Sequence, residues 1–389
     1  MKSQSTICVH GKKRKPEEGL NTPIYPSSAY RYRETTENVY PRYYNTINQQ
    51  EIADKLCQLE AGEAGLLFSS GMAAISTCLF SLLEPGDHAV FSKEIYGGTF
   101  SLISKEFAKR QISYSFATGA DVEDYADVIR PETQLIYLET PSNPLLTIVD
   151  IERVAKLARG KGILTMLDNT FASPINQQPL TLGIDLVLHS GTKYLGGHSD
   201  LSFGAVVTRE EIKDLIFPQA VNYGGNLNAL DCYLIERSLK TLEVRVERQN
   251  ENAMKVATFL EQRPEIKSVF YPGLPNHSGY EIARKQMRAF GGMMAFELAT
   301  DEMVEVDLFL DSLSLIQPSL SLGGVESIIC SPAQTSHIKV PREERIKLGI
   351  HDGLLRLSIG IESARDIMDD LAQALDKITH LVDQKAYQP

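Results

Sequence analysis

The 389-residue chain has no apolar run approaching the roughly 18 residues that a membrane span needs. Its start, MKSQSTICVHGKKRKPEE, is basic but has no apolar stretch of the kind a secretory signal carries. No C-x-x-C pair occurs. The five cysteines (Cys8, Cys57, Cys78, Cys232, Cys330) are odd in number and scattered, which argues against a zinc site or a disulfide framework. No metal site is expected, and a reducing, cytoplasmic setting fits best. Basic residues are in deficit, with 39 Lys and Arg against 50 Asp and Glu, a net charge of −11. Nucleic acid and anionic membrane are therefore poor partners, whereas a small anion in a locally basic pocket remains compatible. Neither G-x-G-x-x-G nor G-x-x-x-x-G-K-[ST] is present, so nucleotide-binding readings lose most of their support. There is no internal repeat and no low-complexity tract.

What is present is ordinary globular composition, 43 % hydrophobic and 23 % charged, at a length that suggests two or three domains of about 150 residues. Residues 1–48 are polar and punctuated by proline, without a clear helix or strand period. Six of the 16 tyrosines fall between Tyr25 and Tyr44, more aromatic surface than a bland loop needs. This stretch reads as an extended arm on another surface, such as a neighbouring subunit. From residue 49, helical stretches near 50–60, 72–83, 98–109, 121–129 and 151–159 alternate with short strands. The strands are Gly65–Phe68, Ala89–Ser92, Ser113–Ala117, Leu135–Glu139, Leu164–Asp168, Leu186–His189 and Gly204–Thr208. Several are apolar throughout, as strands covered on both faces should be. The pattern predicts a mostly parallel α/β sheet, with ligands at the carboxyl ends of its strands. Residues 226–263 contain Leu230, Leu234, Leu239, Leu242 and Val246 at helical steps and reach a stop at Pro264, predicting one long helix. The expected organisation is an arm over 1–48, a large domain over 49–240 and a smaller α+β domain over 241–389, linked by that helix.

Six segments carry candidate chemistry. Lys193, in Ser190-Gly191-Thr192-Lys193-Tyr194, follows the strand Leu186–His189. An amine in a confined electropositive site becomes a nucleophile able to form a Schiff base, and the hydroxyls of Ser190 and Thr192 suit phosphate oxygens. An ordinary lysine in a surface turn would look similar. Asp168 ends the apolar strand Leu164–Asp168. A carboxylate there is costly unless paired, and it can hold a ring nitrogen protonated or simply cap a turn. Phe68-Ser69-Ser70-Gly71-Met72 is a strand, a Ser-Gly turn and a helix start, an anion site or a plain βα turn. Tyr96, before Gly97 and Gly98, either stacks on a flat cofactor and moves protons or packs internally. Asn143, in Glu139-Thr140-Pro141-Ser142-Asn143-Pro144, can bind a carboxylate or a phenolic oxygen, or belong to a Pro-rich turn. Arg356, within the apolar Leu354–Ile359, must find an anion, either a substrate carboxylate or a structural Asp or Glu.

The ordered run SSGMAAI, YGGT, ETPSNP, LDNTF, SGTKYLGGHSD, GGNLNALDCYLIERSLKTLEVR, FYPGL, RKQMRAFGGMMAFEL, SLGGVESI and LRLSIGIE resembles the pyridoxal-phosphate (PLP) enzymes of cysteine and methionine metabolism. This is the trans-sulfuration family of cystathionine γ-lyase, β-lyase and γ-synthase and methionine γ-lyase. The resemblance covers about residues 20–380 and implies a fold-type I PLP enzyme. It implies that Lys193 is the Schiff-base lysine, Asp168 the partner of the pyridine nitrogen and Tyr96 the ring-stacking tyrosine. Gly71, Met72, Ser190 and Thr192 look like phosphate contacts, and Arg356 like the binder of the substrate α-carboxylate, assisted by Asn143 and Ser321. Tyr40 and Arg42 fall where the family sends such a pair into the neighbouring subunit's phosphate site, which implies a dimer as the minimal active unit and a tetramer as the usual assembly. One departure is plain. The family arm reads Y-S-R-x-x-N-P-T, whereas here Pro41 replaces the serine and Thr46 the proline. Gly98 stands where methionine γ-lyases tend to carry cysteine, and Glu326 resembles the acidic residue of γ-acting cystathionine enzymes, placed to meet the distal amine of cystathionine or to cap a turn. The expected activity is carbon–sulfur cleavage of cystathionine or a related homocysteine-type amino acid, giving a 2-oxo acid, ammonia and a thiol. Cystathionine γ-synthase or β-lyase chemistry is the alternative. Methionine γ-lyase, an aminotransferase and a non-enzymatic relative stand further off.

Overall fold

Seven short segments pair into one sheet because their apolar side chains need cover on both faces. They are β1 (Ala64–Phe68), β2 (His88–Phe91), β3 (Ser113–Phe116), β4 (Thr133–Glu139), β5 (Leu164–Asp168), β6 (Leu186–Ser190) and β7 (Gly204–Thr208). The computed structural model describes residues 2–11, 19–33, 36–336, 338 and 341–386. The strand order is β1-β7-β6-β5-β4-β2-β3, with β2 to β6 parallel and β7 antiparallel to both of its neighbours. Since β1 and β6 both oppose β7, their carboxyl ends share one edge with those of β2 to β5. Phe91, Tyr137, Met166 and Leu188 are buried on one face, and Val90, Ile136, Leu167 and Val187 on the other. The mostly parallel large sheet is the one the strand pattern predicts.

A second sheet has the order β10-β11-β12-β9-β8, from β8 (Ile266–Phe270), β9 (Met293–Leu298), β10 (Gln317–Pro318), β11 (Ile328–Cys330) and β12 (Leu354–Ser358). It is antiparallel except for the β10–β11 pair. The chain forms two compact units. The first comprises Met1–Pro141, Val149–Val244 and Lys285–Arg288, and the second Ser142–Ile148, Arg245–Arg284 and Ala289–Pro389. Among the described residues no helix is long and apolar enough to cross a membrane.

Two local expectations change. The stretch 226–263 holds two helices, Ala229–Leu239 and Leu242–Glu261, instead of one. Asn228 caps the first, its Oδ1 accepting from Asp231 N at 2.9 Å, and Thr241 ends it by turning both its N–H and its hydroxyl onto the Ser238 carbonyl. Leucine periodicity passes smoothly over such a break, because it registers which side is buried and not where a hydroxyl competes for a backbone carbonyl. The arm also opens with a helix, Gln4–Val9, capped by Ser3. Gln4 Nε2 donates to Leu59 O at 3.0 Å and Lys55 Nζ to Cys8 O at 2.9 Å, so this short helix is held by the longer Ile47–Glu60.

In the second unit, buried Asp370 accepts from the backbone N–H groups of Ser314, Leu315 and Ile316 at 2.8–3.0 Å. It thereby fixes the chain between the helix Met303–Ser312 and β10. Asp370→Ala should orphan these donors, destabilise the protein by about 2–4 kcal/mol and lower its urea midpoint, with Asp370→Asn losing less.

Candidate active site

The carboxyl edge of the large sheet collects the polar ends of otherwise apolar strands. Asp168 ends β5 and is buried. Its Oδ1 accepts from Thr170 Oγ1 at 2.5 Å and from Thr170 N at 3.0 Å, while Tyr137 Oη stands 3.5 Å from Oδ2. Burial pushes the Asp168 carboxyl up, against the two Thr170 donors and the nearby His189, which favour its ionised form. Glu139 ends β4 directly beside Asp168 in the sheet register. Burial, and then the Asp168 charge, hold its carboxyl well above the usual glutamate range. Its Oε2 accepts from Tyr96 N at 2.7 Å and so anchors the backbone from which the half-exposed Tyr96 ring projects.

Thr170 Oγ1 also accepts from Ser190 N at 2.8 Å, tying the end of β6 to Asp168. Ser190 lies against the first turn of the helix Gly71–Leu82, which Ser70 caps by accepting from Ala73 N at 3.1 Å. A Cβ at Gly71 would sit 2.9 Å from Ser190 Cβ and 3.0 Å from its Cα, so glycine alone permits this approach. A Cβ at Gly98 would sit 2.4 Å from the Tyr96 ring and 2.9 Å from Met72 Sδ. Gly71, Met72, Tyr96, Gly98, Asp168 and Ser190 are therefore linked contact by contact. Lys193 is half-buried in the turn that follows β6, with its N–H on Ser190 O at 3.1 Å and its carbonyl accepting from Gly197 N at 2.7 Å. Thr192 differs from expectation in one respect. Its hydroxyl donates to Phe203 O and accepts from Phe203 N, which ties the turn to the start of β7.

Tyr40 and Arg42 lie on the surface of the first unit. Arg42 donates to Val221 O at 3.0 Å and its guanidinium lies over the rings of Tyr40 and Tyr43. Asn45 closes the turn, accepting from Tyr40 N and donating to Asn38 O, with Tyr44 in the left-handed region. Within the second unit, Arg356 is buried in β12. It donates to Asn143 Oδ1 and to Ser321 O, each at 3.0 Å. Among the described residues it has no carboxylate partner, so the structural Asp or Glu left open by spacing is not what holds it. Glu326 is exposed in the loop between β10 and β11.

These residues fit pyridoxal phosphate. Asp168 is a buried carboxylate whose Oδ2 receives, from the described residues, only the long 3.5 Å contact of Tyr137 Oη, an environment that suits a cationic ring nitrogen. Tyr96 offers a ring face. The first-turn N–H groups of a 12-residue helix face an edge where the Ser190 hydroxyl makes no hydrogen bond to any described residue. Sequence reasoning missed Glu139 and Thr170. Glu139 carried the same signal as Asp168, an acid ending an apolar strand, and Thr170 lies two residues beyond it.

Comparison with known proteins agrees with this geometry. The Cys/Met metabolism PLP-dependent enzyme family matches residues 5–376. Cystathionine γ-lyase of Bacillus subtilis is 44 % identical over 96 % of this chain and 100 % of its own length. Cystathionine β-lyase of Lactococcus lactis subsp. cremoris is 43 % identical over 97 % of this chain and 100 % of its own. A crystal structure of cystathionine γ-synthase from Xanthomonas oryzae pv. oryzae, in complex with aminoacrylate and cysteine, superposes with a TM-score of 0.93 at 38 % identity, covering 98 % of this chain and 99 % of that one.

The raised Glu139 carboxyl has a testable consequence. A carboxyl that keeps its proton to higher pH in the folded state than in the unfolded state makes stability fall as pH rises from about 4.5, its ordinary value, through the folded one. Glu139→Gln keeps an oxygen for Tyr96 N–H and removes the titration. In cofactor-free protein its thermal midpoint should decline less than that of the unaltered protein between about pH 5 and about pH 8. Parallel curves would show that Glu139 titrates normally.

Proposed function

The chain belongs to the Cys/Met metabolism PLP-dependent enzyme family, and on that premise we propose that it cleaves the Cγ–S bond of cystathionine or a related homocysteine-type amino acid. The products are a 2-oxo acid, ammonia and a thiol. The observation that carries an amino-acid substrate is Arg356, a buried guanidinium whose described partners are neutral, leaving its remaining N–H groups for a carboxylate. Gly98 favours a cystathionine-type pocket, because a larger side chain there would displace the Tyr96 ring. Relatives named γ-lyase and β-lyase are equally similar to the chain, so the choice of bond rests on Glu326, an exposed carboxylate suited to the distal amine of cystathionine.

Pyridoxal phosphate, when bound, supplies an aldehyde for the substrate amine and a ring that takes up the electron pair left at Cα. Asp168 keeps the proton on the ring nitrogen. The Tyr96 ring would lie along the cofactor face, while Gly71, Met72 and Ser190 would hold the phosphate, with Thr192 joining them once its hydroxyl turns from Phe203 O. Arg356, with Asn143 and Ser321, orients the α-carboxylate. Lys193 Nζ removes the Cα proton and carries it onward, and the Tyr96 hydroxyl handles protons of the amine and the leaving group. Tyr40 and Arg42 serve the phosphate site of a second copy, so the working unit is a dimer within a tetramer. The setting is the cytoplasm, in keeping with five free cysteines.

With cystathionine, 2-oxobutanoate should dominate the products, and Glu326→Gln should raise KM for cystathionine far more than for homocysteine, which lacks the distal amine. Predominant pyruvate, measured by mass spectrometry, would make the protein a β-lyase. Equal effects on both substrates would leave Glu326 structural. Arg42→Ala should weaken cofactor binding by about 1.5–3 kcal/mol, seen in titration of the visible absorbance. Mixing it with inactive Lys193→Ala should restore activity, because a mixed dimer holds one intact site. No recovery after confirmed subunit exchange would contradict sharing.

A further inference from the structure

The face of the large sheet opposite Asp168 carries a buried polar cluster that the mechanism above does not use. Glu60, at the end of the helix Ile47–Glu60, and His189, on β6, are both fully buried. His189 Nε2 lies 2.5 Å from Glu60 Oε1. The same oxygen accepts from Asn169 Nδ2 at 2.9 Å. Asn169 is the residue after Asp168, and His189 is the residue before Ser190. One carboxylate oxygen therefore ties together the ends of the two strands that present Asp168 and Ser190, while Thr170 ties the same ends on the other face. Asn169 and Gln177 complete the cluster through a 3.0 Å side-chain bond.

Charge decides what this cluster does. Glu60 Oε2 is buried with no hydrogen-bond partner among the described residues. An ionised carboxylate in that position needs an adjacent cation, and among its contacts the His189 ring alone can become one. On this face stand His189 from β6 and Glu60 from the helix, while Tyr137 and Glu139 from β4 and Asp168 from β5 lie on the other face of the sheet. β7 sets the apolar Ala205 opposite His189. A positive charge on the His189 ring favours an ionised Asp168.

We propose that Glu60 and His189 form a buried ion pair that positions the Asp168 strand end and keeps the Asp168 carboxylate ionised, ready for a ring nitrogen. Both are positioning residues, acting through Asp168. The inference rests on the reading that Asp168 faces the ring nitrogen.

The test reconstitutes the protein with pyridoxal phosphate labelled with 15N in the ring and follows ring-nitrogen protonation against pH by solid-state NMR. In His189→Asn, loss of the cation should let Asp168 take up its proton, so the ring nitrogen loses its own at a pH lower by about one unit or more. Glu60→Gln should move it the same way, because His189 then loses the partner that holds it charged. The direction is decisive. If Glu60 were an anion beside a neutral His189, removing it would favour Asp168 ionisation and move the loss to higher pH. A shift upward in Glu60→Gln, or no shift in either variant whatever the change in thermal midpoint, overturns the proposal. If Glu60→Gln does not fold, His189→Asn decides by the same readout. Asp168→Asn is the separate control. A ring nitrogen still protonated there overturns the reading of Asp168 itself, whereas its deprotonation with unshifted Glu60→Gln and His189→Asn overturns only the ion pair.

Discussion

A carboxylate removed from water at the end of β5 governs the surroundings of the sheet edge. Burying an ionised Asp168 costs several kcal/mol unless donors and a cation compensate it. Thr170 supplies two donors, and the 3.5 Å contact from Tyr137 is too long to add much. The remaining demand is for positive charge, which the proposed pairing with a protonated ring nitrogen would satisfy. The same constraint acts on Glu139. Burial and the neighbouring Asp168 charge both disfavour an ionised Glu139, and one of its oxygens accepts from the backbone of Tyr96. The position of the Tyr96 backbone thus depends on the Glu139 carboxyl.

The second unit applies the same rule with the opposite sign. Arg356 lies in a strand whose other members are buried aliphatics and a serine. Asn143 and Ser321 satisfy part of its fork without neutralising it. A guanidinium left with neutral acceptors is a standing preference for an anion, and a planar carboxylate matches its geometry. Asn143 lies in the short segment Ser142–Ile148, which joins the second unit although the chain before and after it belongs to the first. A turn that leaves one unit for seven residues delivers the side chain to its partner.

The arm shows how a changed motif keeps part of its geometry. With Pro41 and Thr46 in place of the family's serine and proline, Asn45 still closes the loop through bonds to Tyr40 and Asn38. Thr46 takes on a new duty as the cap of the helix Ile47–Glu60, in a capping box with Gln49. Proline in that place has no side-chain oxygen with which to cap.

The strands of the large sheet were legible in the sequence because burial on both faces demands unbroken apolar runs, and each run ended at a turn signal. Asp168 and Arg356 were legible for the converse reason, since a charge inside such a run is costly and calls for an explanation. The ordered motifs carried the cofactor chemistry. Other features depended on contacts between distant segments. The break at Lys240-Thr241 depends on where a hydroxyl finds a carbonyl, and leucine spacing does not register that. Glu60 reads in the sequence as one more acid at the end of an amphipathic helix. Only folding brings its oxygen to Asn169, 109 residues away, and to His189, 129 residues away. Local periodicity reports which side of an element is buried. What a buried polar group meets there is settled by packing between elements, and that packing determines its charge.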